Sequence, residues 1–122
     1  LKELEQAITS GVRMLRSAAP TLRIIGSTLI SARSNPEFGA RDDDRKALNA
    51  FIRASGLFDA VIDFEGATIN PWSDALKPEF AVPTNGVSTE DGLHPNRAGY
   101  LAMAGTIDLD ALVREIATEP SS

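Results

Sequence analysis

Leu22-Arg23-Ile24-Ile25-Gly26-Ser27-Thr28-Leu29-Ile30 is the stretch whose reading decides the fold. It is rich in β-branched and apolar residues, which suits a buried parallel strand. A second run, Ala60-Val61-Ile62-Asp63-Phe64, is short and sits between a helical pattern and a loop, as a strand of an α/β sheet would. Before the first strand, Leu1, Leu4, Ile8, Val12 and Leu15 recur at spacings of three and four, and Pro20 closes that helix. Between the strands, Ser31 to Gly39 reads as a loop carrying Asn35-Pro36. Asp42-Asp43-Asp44 then reads as a helix start, with an N-cap and acids that complement the positive end of the helix dipole. Leu48, Phe51, Ile52 and Ser55 line one face of that helix, and Gly56 supplies its stop. Gly66 to Glu90 is long and irregular, with Pro71, Pro78 and Pro83; a loop of that length is usually functional or mobile. A helical pattern follows from about Asn96 to Gly105, where Gly99 marks close packing, and a last one from about Asp108 to Ala117.

Helix, strand, helix, strand, long loop and helix imply a parallel sheet with right-handed crossovers. Two strands alone cannot bury two helical layers. The first helix also opens on apolar Leu1 with no capping residue before it. Both features lead to the expectation that these residues are part of a larger α/β domain whose other strands lie elsewhere.

Composition bounds the function from another side. The 122 residues are enough for one domain, and an apolar fraction of 43% with 24% charged residues is ordinary for a globular chain. No apolar run reaches the length of a membrane span, so no such span is expected. No signal peptide is visible, but a mature chain would also lack one, so the compartment stays open. With no cysteine, disulfides, thiolate catalysis and zinc–thiolate sites are removed. A net charge of −5 without a basic cluster makes nucleic acid a poor candidate partner. Residues 118–122 read as a disordered tail.

The chemistry-bearing stretch is Asp91-Gly92-Leu93-His94-Pro95-Asn96, which holds the chain's one histidine. An imidazole exchanges a proton near neutral pH, its unperturbed pKa being about 6.5. A carboxylate on Nδ1 fixes the tautomer, holds the acquired charge and leaves Nε2 free as a base. Asp91 can reach the ring if the backbone turns between them, and Gly92 accepts the positive φ that such a turn needs. Pro95 suits the first turn of the helix that follows. Asp63, at the C-terminal end of the second strand where open α/β sheets place ligands, is a second-rank candidate; capping the strand end is its favoured role.

Asp91-Gly92-Leu93-His94-Pro95-Asn96, with Gly99-Tyr100 and Met103-Ala104 after it, resembles the last conserved block of the SGNH (GDSL-type) hydrolases. Ile25-Gly26-Ser27-Thr28-Leu29 is similar to a strand of the family's secreted bacterial members. Arg45, Asn49, Ile52-Arg53, Ser55-Gly56, Phe58-Asp59 and Val61-Ile62-Asp63-Phe64 resemble the segment after it. The likeness runs from about Leu4 to Leu112. It implies a three-layer α/β/α flavodoxin-like sandwich, of which residues 1–122 form the C-terminal part. It implies hydrolysis of acyl or acetyl esters of lipids, carbohydrates or other small molecules, without metal or cofactor. His94 would be the general base and Asp91 its orienting acid. Secretion to the exterior or periplasm is what the resemblance suggests.

The family's nucleophilic serine lies in a Gly-Asp-Ser block, and an oxyanion donor in a Gly-x-Asn-Asp block; neither occurs here. Ser27, in a strand without a Gly-x-Ser-x-Gly elbow, and Ser88, on the long loop, read as structural. The expected partner is therefore the missing N-terminal part of the same domain, which would supply the nucleophile. The long loop would shape the substrate pocket, with Trp72 as its wall residue. The rival expectation is a binding or scaffold module that kept the fold and lost the chemistry. A third reading is a flavodoxin-like binding domain with no hydrolase ancestry.

Overall fold

The computed structural model describes residues 1–83, 90–110 and 112. The 118–122 tail, Ser88 and most of the expected last helix lie outside them. Helix α1 spans Lys2–Ala18, starts at Leu1 without a side-chain cap and buries Val12. Its last turn is tied down by Arg16, whose guanidinium donates to the Leu57 carbonyl at 2.7 Å and to the Asp59 carboxylate at 3.3 Å.

Strand β1 is Ile25–Ser27 and strand β2 is Ala60–Ile62. They pair in parallel with Ile25 opposite Ala60, Gly26 opposite Val61 and Ser27 opposite Ile62. Gly26 is needed for close approach, since a Cβ there would lie 2.7 Å from the Phe58 ring. Both strands are shorter than the 22–30 and 60–64 runs: β2 stops where Asp63 becomes the cap of the next helix, and at β1 side chains take over backbone groups at both ends. The Asp59 carboxylate accepts from the Ile24 amide at 2.7 Å, and the Asn49 amide accepts from Leu29 N–H at 2.8 Å. Asp63 leaves the strand altogether.

Helix α2, Asp42–Ala54, corrects the capping expectation. Its N-cap is Arg41, with no side-chain cap bond, and Asp42 points inward instead. The Asp42 carboxylate accepts from Ala32 N–H at 2.9 Å and from Arg45 Nε at 2.6 Å. Just past the helix, Gly56 takes a φ of 69°, as a helix stop requires.

The segment from Gly66 onward is less irregular than its composition implies. Helix α3, Phe64–Thr68, is capped by Asp63, whose carboxylate accepts from Gly66 N–H at 3.1 Å. An antiparallel bridge joins Ile69 to Leu76, and α4 spans Pro78–Ala81. Helix α5, Arg97–Gly105, has Asn96 as its N-cap, so Pro95 lies just before the helix, not in its first turn. Gly99 packs closely, as its spacing implied: a Cβ there would lie 2.5 Å from that of Pro95 and 3.2 Å from that of Phe80.

The buried apolar set is small: Val12, Ala32, Leu48, Ile52 and Leu76. Polar groups do much of the interior bonding. Arg45 sits between Asp42 and Glu65, and its guanidinium also donates to the Leu29 carbonyl at 2.9 Å. Asn49 donates to Leu29 O at 2.7 Å and to the Glu65 carboxylate at 2.9 Å. Arg53 bridges Asp63 at 2.7 Å and Glu65 at 2.8 Å. Residues 28–32, α2 and the start of α3 are thus held by one hydrogen-bonded network. Leu22, Ile25, Leu29 and Val61 remain exposed, so apolar residues in and beside the strands are uncovered.

Candidate active site

Asp91 and His94 meet as their spacing allows. The His94 Nδ1 lies 2.6 Å from Asp91 Oδ2, within charge-assisted hydrogen-bond range. The other carboxylate oxygen, Oδ1, accepts from the Leu93 amide at 2.9 Å and the His94 amide at 2.8 Å. The carboxylate is therefore fixed by the backbone of the turn it orients. Gly92 adopts a φ of 71°, the left-handed conformation expected of it. The imidazole side chain is 59% exposed to solvent.

The turn is seated on two neighbours. Behind it, Asn96 is fully buried; its side-chain amide donates to the carbonyls of Glu79 and Val82, each at 2.8 Å, and accepts from Gly99 N–H at 3.1 Å. One residue thereby caps α5 and clamps α4 against it. In front, the loop after β1 closes on Gly92, where a Cβ would lie 2.4 Å from the Ser34 carbonyl carbon. The Asn35 side chain donates to the Asp91 carbonyl at 2.8 Å.

Asn35 and Asn96 are the residues that sequence reasoning did not single out for the site. Asn35-Pro36 read only as loop punctuation, although an Asn there can organise a turn through its own side chain. Asn96 carries no role in the motif as read from sequence, although Asn ahead of a helical pattern is a recognisable N-cap.

The other candidates have their described contacts elsewhere. Asp63 caps α3 and accepts from Thr28 Oγ1 at 2.9 Å and from Arg53. Burial would push its carboxyl up, but the Arg53 guanidinium, Gly66 N–H and Thr28 hydroxyl outweigh that and hold it below the ordinary range. Its bonds are those of a structural cap. Ser27 is exposed in β1. Trp72 occupies the tip of the turn closed by the Ile69–Leu76 bridge and is 95% exposed, so it packs against little else in the described chain. A cleft of about 330 Å³ between the starts of α1 and α2, lined by Leu1, Leu4, Arg41, Asp44 and Leu48 among others, includes no residue of the 91–96 turn. Among the described residues, no group of three or more His, Asp or Glu side chains is placed to hold a metal ion.

A hydrogen-bonded carboxylate–imidazole pair with an exposed ring can accept and return a proton, given a reacting group beside it. No family model matches the sequence, and no curated protein matches it. Among solved structures, the chain is similar to a "putative acylhydrolase" from Bacteroides fragilis, with a TM-score of 0.71 and 21% identity. The match covers 94% of this chain and 52% of that one, so the chain spans about half the length of that structure. The likeness is one of fold: helices with parallel strands in a mixed α/β arrangement.

Proposed function

We propose that residues 1–122 form the C-terminal part of a single three-layer α/β/α SGNH-type domain, and that the whole protein is a serine ester hydrolase. The observation that carries this reading is the 2.6 Å contact between Asp91 Oδ2 and His94 Nδ1, with the ring otherwise exposed. The acylhydrolase-like fold and the uncovered Leu22, Ile25, Leu29 and Val61 support it. Those residues would be covered by the strands and helices of an N-terminal part.

The reaction is acyl transfer. A serine from the N-terminal part attacks the ester carbonyl while His94 Nε2 takes its proton. Asp91 keeps the ring in the tautomer that leaves Nε2 free and stabilises the imidazolium. Collapse of the tetrahedral intermediate breaks the ester C–O bond, and His94 protonates the departing alcohol. Water, deprotonated by His94, then attacks the acyl-serine; the serine oxygen leaves with that proton from His94, and the acid is released. The substrate is an acyl or acetyl ester of a small molecule, carbohydrate or lipid, with Trp72 as a wall of its pocket.

The test compares the protein carrying its upstream residues with residues 1–122 alone. The longer protein should hydrolyse p-nitrophenyl acetate and be labelled stoichiometrically by a fluorophosphonate at a serine before Leu1. The shorter chain should show only the background of a free imidazole. A longer protein that neither turns over esters nor is labelled would leave a non-catalytic module of the same fold.

A further inference from the structure

We infer that Asn35 is a positioning residue for the Asp91–His94 pair, acting through the backbone of the turn and never touching the reactants. The inference rests on the reading of that pair as acid and base. Asn35 joins two loops distant in sequence. Its Oδ1 accepts from Glu37 N–H at 3.0 Å and Phe38 N–H at 2.8 Å, and its Nδ2 donates to the Asp91 carbonyl at 2.8 Å. This orientation of the amide is fixed by chemistry: reversed, it would set N–H against N–H and oxygen against oxygen. The backbone of Asn35 is tied as well, its N–H donating to Ala32 O and its carbonyl accepting from Gly39 N–H, each at 2.9 Å.

The anchoring continues inward. Ala32 N–H donates to the buried Asp42 carboxylate, and Leu29 is bonded by Asn49 and Arg45. Asn35 therefore sits at the outer end of a rigid chain of contacts that begins in α2. It fixes the Asp91 main chain, and Asp91 uses its own side chain to hold the Leu93 and His94 amides and the His94 ring. A shift of the Asp91 carbonyl would carry the carboxylate away from Nδ1. The second contact on the same loop, between Ser34 and Gly92, limits translation of the turn, whereas the Asn35 bond also fixes the tilt of its first peptide.

In the protein carrying its upstream residues, the His94 ring nitrogens are identified as the pair of 15N resonances that His94→Gln removes. The readout is the ratio of Nδ1–H to Nε2–H tautomer of the neutral ring, which the partner of Nδ1 sets. In the unaltered chain Nδ1–H should dominate. Asn35→Asp keeps an oxygen for the Glu37 and Phe38 amides but places a second oxygen against the Asp91 carbonyl. It should lower the tautomer ratio by about threefold or more, the factor that one hydrogen bond of ordinary net strength supports. Asn35→Ser also keeps an acceptor for the local turn and lacks the reach to Asp91, and should act in the same direction without adding charge. Circular dichroism checks that both fold.

An unchanged ratio in a folded Asn35→Asp or Asn35→Ser chain overturns the proposal. So does loss of the fold in both, which would make Asn35 a support of the whole loop. Because the readout is the tautomer and not turnover, its failure leaves the proposed reaction standing. Conversely, an inactive complete protein would leave the tautomer result intact.

Discussion

Two hydrogen-bonded carboxylate arrangements in this molecule make opposite use of the same chemistry. In one, Asp42, Arg45 and Glu65 are buried and every charged group is met by several partners. In the other, Asp91 holds an imidazole that is 59% exposed. The buried set has no capacity left for a reacting molecule. Burial would raise the Asp42 and Glu65 carboxyls, yet their donors (Arg45 and the Ala32 amide for Asp42; Arg53, Arg45 and Asn49 for Glu65) outweigh it and keep both below the ordinary carboxylate range. The difference is one of exposure: the buried groups turn their bonds inward, whereas the imidazole leaves most of its surface to solvent.

If that division is right, substitutions in the two regions should have crossed consequences. The largest effect on folding belongs to the buried set. Arg45→Ala would leave the Asp42 and Glu65 carboxylates without their shared cation, a change that typically costs about 3–5 kcal/mol. Denaturant unfolding of Arg45→Ala should show that loss, and a parent-like midpoint would contradict the assigned role.

Acid should act on the same region next. Asp42, Asp63 and Glu65 all have pKa values lowered in the folded chain. Such groups contribute stability that is fully present above their unfolded pKa, about 4 for these side chains, and is lost as pH falls through the folded value. The denaturation midpoint should therefore fall as pH drops below about 4. A midpoint that rises on acidification would show that these carboxylates are held at a net cost.

The smallest effect on folding is expected at Trp72. At 95% exposure it contributes little packing, so Trp72→Ala should change stability by less than about 0.5 kcal/mol. In the complete protein the same variant should raise KM for a bulky ester more than it lowers kcat, as loss of a binding wall would. Equal kinetics in parent and variant would remove Trp72 from the pocket.

The α/β alternation was legible because the strand runs and helical spacings are local signals. What escaped were features set by side chains reaching across the chain. The 22–30 run is strand only at Ile25–Ser27, because Asp59 and Asn49 take backbone groups on either side of it. Asp42 looked like a cap and is instead a buried partner of Arg45, a choice made by tertiary contact. At the site, Asp-x-x-His with an intervening glycine encodes its own geometry within four residues, so Asp91 and His94 could be paired in advance. Asn35 is 56 residues from Asp91 in sequence, and no local pattern connects them.

The central claim is that His94 is the proton carrier of an esterase. Its most direct test is kcat of His94→Ala against the parent, in the protein carrying its upstream residues, with circular dichroism to confirm the fold. Since the ring is mostly exposed and lies outside the buried network, the variant should fold normally. Turnover should fall by about 10⁴-fold or more, as loss of the base does in serine hydrolases. A folded His94→Ala protein that keeps the parent's kcat would contradict the account.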